Sequence, residues 1–319
     1  MTPILDVQNL SIDYQSNGHP LHAVEDINFQ VQKGRSLALV GESGCGKTTT
    51  MLSLLRLLPA EGRIIGGRIL YRGTDLLRLS EREMRDYRWK KLAIVFQGAM
   101  NALNPVQRVS DQIAEAIMRE PQITRKQALT RVGELIEIVG IPANRAQQYP
   151  HQFSGGMRQR AMIAMALACE PDVLIADEPT TALDVMIQAQ ILSLLQKLQR
   201  DLGLAVILVT HDLGVVAEVC DDVLVMYGGK VAEAGDVETI FNKPLHPYTQ
   251  RLLQAFPDIN RPGSTLASIA GHPPPLDDLP TGCRFEPRCH LSSEICKRIP
   301  PLALEHDAGH YVACHHVEQ

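Results

Sequence analysis

Gly41-Glu42-Ser43-Gly44-Cys45-Gly46-Lys47-Thr48 is the stretch from which the fold can be read. It fits G-x-x-x-x-G-K-S/T, with an apolar run, Ser36 to Val40, before it and a helical pattern starting near Thr49 after it. That strand, loop and helix order is the context the motif requires. The glycines let the backbone turn tightly, so that successive N–H groups point inward at phosphate oxygens. Lys47 brings a positive charge to the β- and γ-phosphates, and Thr48 offers a hydroxyl to Mg2+. The helix that follows adds its positive end at the same place. The loop thus predicts a nucleoside triphosphate site, with Gly41, Ser43, Gly44, Cys45, Gly46, Lys47, Thr48 and Thr49 around the phosphates.

Outward from the loop, Leu92 to Phe96, Val173 to Ala176 and Ala205 to Val209 are further compact apolar runs, suited to strands buried on both faces. They alternate with helical patterns up to about residue 240, the rhythm of an α/β fold. Between about Asn101 and Met165 the pattern is helical, clearest over Asp111 to Met118 and Arg131 to Val139, which predicts a helical subdomain at about 100–166. After Asn242 come Pro244, Pro247, Pro257, Pro262 and the run Pro273 to Pro275. Prolines at that density break regular structure, so a nucleotide-binding domain over 1–242 and a separate C-terminal unit over 243–319 are expected.

The 319 residues carry a net charge of -5, which argues against a dedicated nucleic-acid binder. No apolar run is long enough to cross a bilayer, and Met1 to Asp6 lacks the basic and apolar regions of a secretory signal. The expectation is a cytoplasmic chain that docks on something embedded in a membrane.

Val173 to Ala176 ends in two acids, Asp177 and Glu178. Adjacent carboxylates at the end of a buried strand are costly unless a cation or solvent meets them. Asp177 suits Mg2+, and Glu178 suits a general base acting on the attacking water. The competing reading is a plain strand-end turn stopped by Pro179. Phe153-Ser154-Gly155-Gly156-Met157-Arg158-Gln159-Arg160 reads as a second phosphate-facing helix start, with Ser154 as N-cap and two glycines baring the backbone.

With this stretch the chain resembles the ABC ATPase family, whose signature is usually written Leu-Ser-Gly-Gly-Gln. It departs at Phe153 and Met157 and keeps Ser154, Gly155 and Gly156. The resemblance, over about residues 4 to 240, implies a P-loop ABC-type nucleotide-binding domain that takes ATP. It implies that Gln97 is the glutamine that senses Mg2+, that His211 contacts the γ-phosphate, and that Asp184, in Ala182-Leu183-Asp184, belongs to a loop bridging two subunits. It also implies that Tyr14 stacks under adenine. Such ATPases work as head-to-tail pairs, the Ser154 segment of one chain closing over the nucleotide of the other.

The tail, from His246-Pro247-Tyr248-Thr249 to the cysteines, resembles the C-terminal extension of dipeptide, oligopeptide and nickel importer ATPases. That resemblance implies a 4Fe-4S cluster on Cys283, Cys289, Cys296 and Cys314. Zinc is the alternative, although no close Cys pair of the usual zinc spacing is present, and His290, His315 or His316 would be substitute ligands. Free thiols and disulfides rank lower. The implied partners are a second homologous ATPase subunit, the same or different, two permease subunits and an extracytoplasmic solute-binding protein, without nucleic acid. The implied place is peripheral, on the cytoplasmic face of the plasma membrane, and the implied activity is ATP hydrolysis driving peptide uptake. Two other classes compete: an ABC ATPase acting on DNA or the ribosome, and a regulatory ATPase that no longer turns over. The single cassette opposes the first, and Glu178 with His211 opposes the second.

Overall fold

The computed structural model describes residues 2–16, 18–98, 102–255 and 269–317. The strands and helices run β1 (Leu5–Ser16), β2 (His19–Val31), β3 (Ser36–Val40), α1 (Lys47–Leu54), β4 (Gly62–Tyr71), β5 (Thr74–Asp75), α2 (Glu81–Tyr87), β6 (Leu92–Val95), α3 (Val109–Ile117) and α4 (Arg125–Ile138). They continue with α5 (Gly155–Ala166), β7 (Val173–Asp177), α6 (Val185–Leu202), β8 (Ala205–Val209), α7 (Leu213–Val219), β9 (Asp222–Tyr227) and β10 (Lys230–Asp236). The last are α8 (Val237–Asn242), α9 (Pro247–Gln254), α10 (Glu294–Arg298), β11 (Leu304–Asp307) and β12 (His310–Val312). The chain forms two units, 1–78 with 208–319, and 79–207. Among the expected landmarks, Asn101, Pro257 and Pro262 lie outside the described residues.

In the first unit β3 lies parallel to β9, pairing Leu37 with Asp222 and Val40 with Val225. Every residue of β3 is buried, as a strand covered on both faces requires. β9 turns back through Gly228 and Gly229 into antiparallel β10. A second sheet, in the order β2-β1-β4-β5, is antiparallel. The α/β alternation expected from the sequence has no place for that sheet. Its first strand hides its period because the register slips between Val7 and Leu10, where Asn9 takes a φ of 49°. Such a bulge moves the apolar side chains off strict alternation.

The tail falls in the first unit, together with residues 1–78. β12 extends the sheet by pairing Glu233 with Val312 and Ala234 with Tyr311. Phe285 and Tyr248 share one buried cluster with Ala38, Val40, Val225 and Tyr227. The Tyr227, Tyr248 and Phe285 rings lie 4.7 to 5.3 Å apart, tilted or edge to face, the geometry aromatic quadrupoles favour. A short, proline-rich tail has too little apolar surface for its own core, so it borrows one.

Glu233 fastens this junction. Fully buried, its carboxylate accepts from the Leu245 N–H at 2.7 Å, the His246 N–H at 3.0 Å and His310 Nε2 at 2.8 Å. Beside it, burial pushes the His246 imidazole down to about 4, so the ring is neutral at pH 7 and its Nδ1 accepts the Tyr248 N–H.

In the second unit β6 and β7 pair in parallel, Leu92 with Val173 and Val95 with Ala176. Helices α3, α4 and α5 account for the helical region. α4 begins six residues before the apolar pattern suggests, because Thr124 and Gln127 form a capping box. α6 starts on the Asp184 cap and ends at Gly203, whose φ is 61°. Among the described residues, no helix is long and apolar enough to cross a membrane.

Candidate functional site

The first unit carries the phosphate loop between β3 and α1. Gly41 has a φ of 145°, and a Cβ there would lie 2.1 Å from the Met226 carbonyl oxygen, so only glycine fits. Gly46, at φ 99°, is the left-handed residue preceding α1. The Lys47 ammonium is folded into the loop, donating to Gly41 O at 2.6 Å and Glu42 O at 3.0 Å. Burial pushes the Cys45 thiol up, against the pull of Lys47, which reaches its Sγ at 3.5 Å. Ser43, Gly44 and Thr48 face solvent.

Tyr14, on β1, reaches the start of α1: its hydroxyl is 3.4 Å from Thr49 Oγ1. His211 is exposed and follows Thr210, whose N–H bonds to Leu39 O of β3. Asp212 then caps α7 through the Gly214 and Val215 N–H groups. The structure thus gathers Tyr14, residues 41–49 and His211 in one unit, with β1, β3 and the last residues of β8 as their supports.

The second unit carries Gln97, Asp177, Glu178 and the starts of α5 and α6. Asp177 ends β7 and is 4% exposed. Glu178 follows with a φ of 43°, a conformation costly for a residue with a side chain. Gln97 Nε2 donates to Glu178 Oε2 at 2.7 Å and Thr181 Oγ1 donates to the same oxygen at 2.9 Å. Ala182, at φ 64°, is a second strained residue in this turn. Ser154 caps α5 through the Met157 N–H, and Asp184 caps α6 through the Ile187 N–H. Gly156 brings these helices close: a Cβ there would lie 2.6 Å from Ile187 Cγ2.

Cys283 and Cys289 pack against the first unit's core, and among the described residues the four tail cysteines are not arranged as the expected ligand set. Burial pushes the Cys283 thiol up to about 11; a hydrogen bond from the Phe285 backbone opposes that, and Cys296, Cys289 and Cys314 add to it. Cys296 Sγ lies instead 3.4 Å from Ser293 Oγ and 3.5 Å from His316 Nε2, and Cys314 Sγ accepts the His316 N–H. Among the described residues, no group of three or more His, Cys, Asp or Glu is arranged to hold a metal ion. All seven cysteines are free of disulfides.

Sequence reading missed the groups that bind the tail to the loop. Tyr248 Oη accepts the Glu42 N–H at 2.9 Å, and Arg288 grips the Glu42 carboxylate. The resemblance to importer ATPases singles out Tyr248 without its role, and nothing in the local sequence marks Arg288 or Glu233.

The ABC transporter family model matches residues 24–181. A second model, the oligopeptide/dipeptide transporter C-terminal region, matches 232–296. The dipeptide transport ATP-binding protein DppD of Bacillus subtilis is 49% identical over 317 residues, 98% of this chain and 95% of that protein. The oligopeptide transport ATP-binding protein OppD of Escherichia coli is 45% identical over 313 residues, 98% of this chain and 92% of that one. Among solved structures, cbiO1 from Clostridium perfringens, part of an ABC transporter complex, superimposes with a TM-score of 0.67 at 30% identity, covering 76% of this chain and 92% of its own. The cassette MJ0796, solved as a post-hydrolysis dimer with ADP and Pi, superimposes at 0.65 with 26% identity, covering 73% and 98%.

Proposed function

The chain belongs to the ATP-binding subunits of the ABC transporter family, and from that premise we propose that it hydrolyses ATP to drive uptake of di- or oligopeptides through separate permease subunits. The observation that carries hydrolysis is the hold on Glu178, whose Oε2 accepts from both Gln97 and Thr181 on a strained backbone. A carboxylate oriented in this way suits a general base for water. Peptide as cargo is supported by relatives named for dipeptide and oligopeptide transport over almost the whole chain.

In this reading Lys47 exchanges the Gly41 and Glu42 carbonyls for phosphate oxygens, and the N–H groups of residues 43–49 line the phosphates. Thr48, Asp177 and Gln97 are each oxygen donors of the kind Mg2+ takes, and Mg2+ would neutralise phosphate charge. His211 meets the γ-phosphate, and Tyr14 meets adenine. Ser154, Gly155 and Gly156 of one subunit close over the nucleotide of a second ATPase subunit, and Asp184 bridges the pair. Residues 1–242 are the ATPase region and 243–319 the extension. The assembly also includes two permeases and an extracytoplasmic binding protein, with this subunit peripheral on the cytoplasmic face.

The four tail cysteines are proposed as ligands of a 4Fe-4S cluster, zinc being the alternative. Four thiolates are the donor set such clusters take, and the thiols must rearrange to form it, Cys296 turning from His316. Anaerobic iron, sulfide and zinc analysis of the purified chain tests this; stoichiometric zinc without sulfide overturns it. The transporter reading is tested by mild-detergent purification of the tagged chain from native membranes. Two polytopic proteins and a second ATPase are expected, and recovery with ribosomes or nucleic acid instead would contradict it.

A further inference from the structure

Glu42, the second residue of the phosphate loop, is a carboxylate where a polyanion must bind. Arg288, far along the tail, covers it. Arg288 Nη1 reaches Glu42 Oε2 at 2.6 Å and Nη2 reaches Oε1 at 3.0 Å, a bidentate fork of the kind that fixes geometry as well as charge. The arginine side chain is 5% exposed and the glutamate 26%. The guanidinium has no slack. Nη1 also donates to Tyr227 Oη at 3.1 Å, with that ring 5.7 Å away, while Nε and Nη2 donate to Ala270 O and Ile269 O.

From Glu42 the hold passes into the nucleotide machinery. Its N–H is fixed by Tyr248 Oη, and its carbonyl accepts from Lys47 Nζ. The same tail segment touches the loop by a second route. Arg284 donates to Gly228 O and to the Glu25 carboxylate, and the neighbouring Gly229 N–H bonds to Cys45 O at 3.1 Å. Both arginines lie in the segment from Cys283 to Cys289.

We propose that Arg288 is a positioning residue for ATP binding: it neutralises Glu42 and locks the loop peptide that carries Lys47, so that the tail sets nucleotide affinity. The proposal rests on the reading of residues 41–49 as an ATP site. Its physical core is electrostatic. Without Arg288, the phosphate loop carries the Glu42 carboxylate uncompensated, and a fixed negative charge near an anion site repels the ligand.

The test is a charge cycle in the full chain, comparing wild type with Arg288→Gln, Glu42→Gln and the double variant. The readouts are the Kd for Mg-ATP by fluorescent-nucleotide displacement and the KM and kcat of hydrolysis, well below each variant's melting temperature. Arg288→Gln is expected to weaken ATP binding by roughly tenfold or more, about the cost of 1.4 kcal/mol. Adding Glu42→Gln is expected to recover most of that loss, because the unpaired charge goes with it. Arg288→Lys, which keeps the charge without the fork, falls between, and it replaces Arg288→Gln if that variant does not fold. A pair that only stabilises the fold would lower the melting temperature and leave Kd and KM unchanged, and that result overturns the proposal. So does an affinity loss that Glu42→Gln does not repair. A wild-type chain that binds no ATP removes the nucleotide reading itself, and the proposal with it.

Discussion

Replacing Glu233 by glutamine isolates the junction between the tail and the ATPase fold. The carboxylate is wholly buried and accepts three hydrogen bonds, from the Leu245 and His246 amides and from His310. Glutamine keeps the shape but turns one accepting oxygen into a donor. If that oxygen is Oε2, the new amide faces the His246 N–H; if it is Oε1, it faces both the Leu245 N–H and the His310 ring. At least one buried donor is stranded, at a cost of about 1–3 kcal/mol, and the remaining bonds lose their charge assistance. A total of about 2–4 kcal/mol is a large share of a typical domain's stability. Equilibrium urea unfolding followed by circular dichroism should show an earlier midpoint, and hydrogen exchange should show faster opening at residues 245–252. His310→Ala should cost less, because two acceptor bonds remain. A midpoint shift worth less than about 0.5 kcal/mol, the range of ordinary surface changes, with protection at 245–252 unchanged, would refute the role given to Glu233.

His246 supplies a pH dependence. Its ring is held down to about 4 by burial against 6.5 when unfolded, so from pH 6.5 to 4 the unfolded chain takes a proton that the folded chain refuses. Stability therefore falls as the pH drops through that window, by up to about 3 kcal/mol, and His246→Asn should flatten that part of a urea-midpoint profile. Gly41→Ala forces a side chain onto the Met226 carbonyl at a φ of 145°; it should abolish ATP binding in a displacement assay and lower the melting temperature. Phe285→Ala should cost about 3–5 kcal/mol by urea unfolding, as for other buried aromatics, because Phe285 packs on Tyr227 and Tyr248.

The strands flanking the site were legible because they are covered on both faces and so read as unbroken apolar runs. β3 and β8 match Ser36 to Val40 and Ala205 to Val209 end to end, and β6 and β7 differ by one residue. Helix starts were less so. α4 begins at a polar capping box that apolar periodicity does not register, and α1 begins at Lys47 because a left-handed glycine precedes it. The antiparallel sheet went unread because the slip at Asn9 breaks its alternation. The packing of the tail is hidden for a different reason. Its prolines mark a lack of regular structure, but packing is decided by Tyr248 and Phe285, whose partners lie on β9, remote in sequence. The bonds from Arg288 to Glu42 and from His310 to Glu233 join residues equally remote, so no local pattern announces them.

The measurement that tests the central claim most directly is Mg-ATP turnover by this subunit and by its Glu178→Gln variant, each in the complex recovered from membranes, with ATP binding measured alongside. Turnover in the variant is expected to fall by about 10²- to 10⁴-fold, the usual worth of a general base, with ATP bound as tightly as in the wild type. Hydrolysis by Glu178→Gln at the wild-type rate would contradict the account.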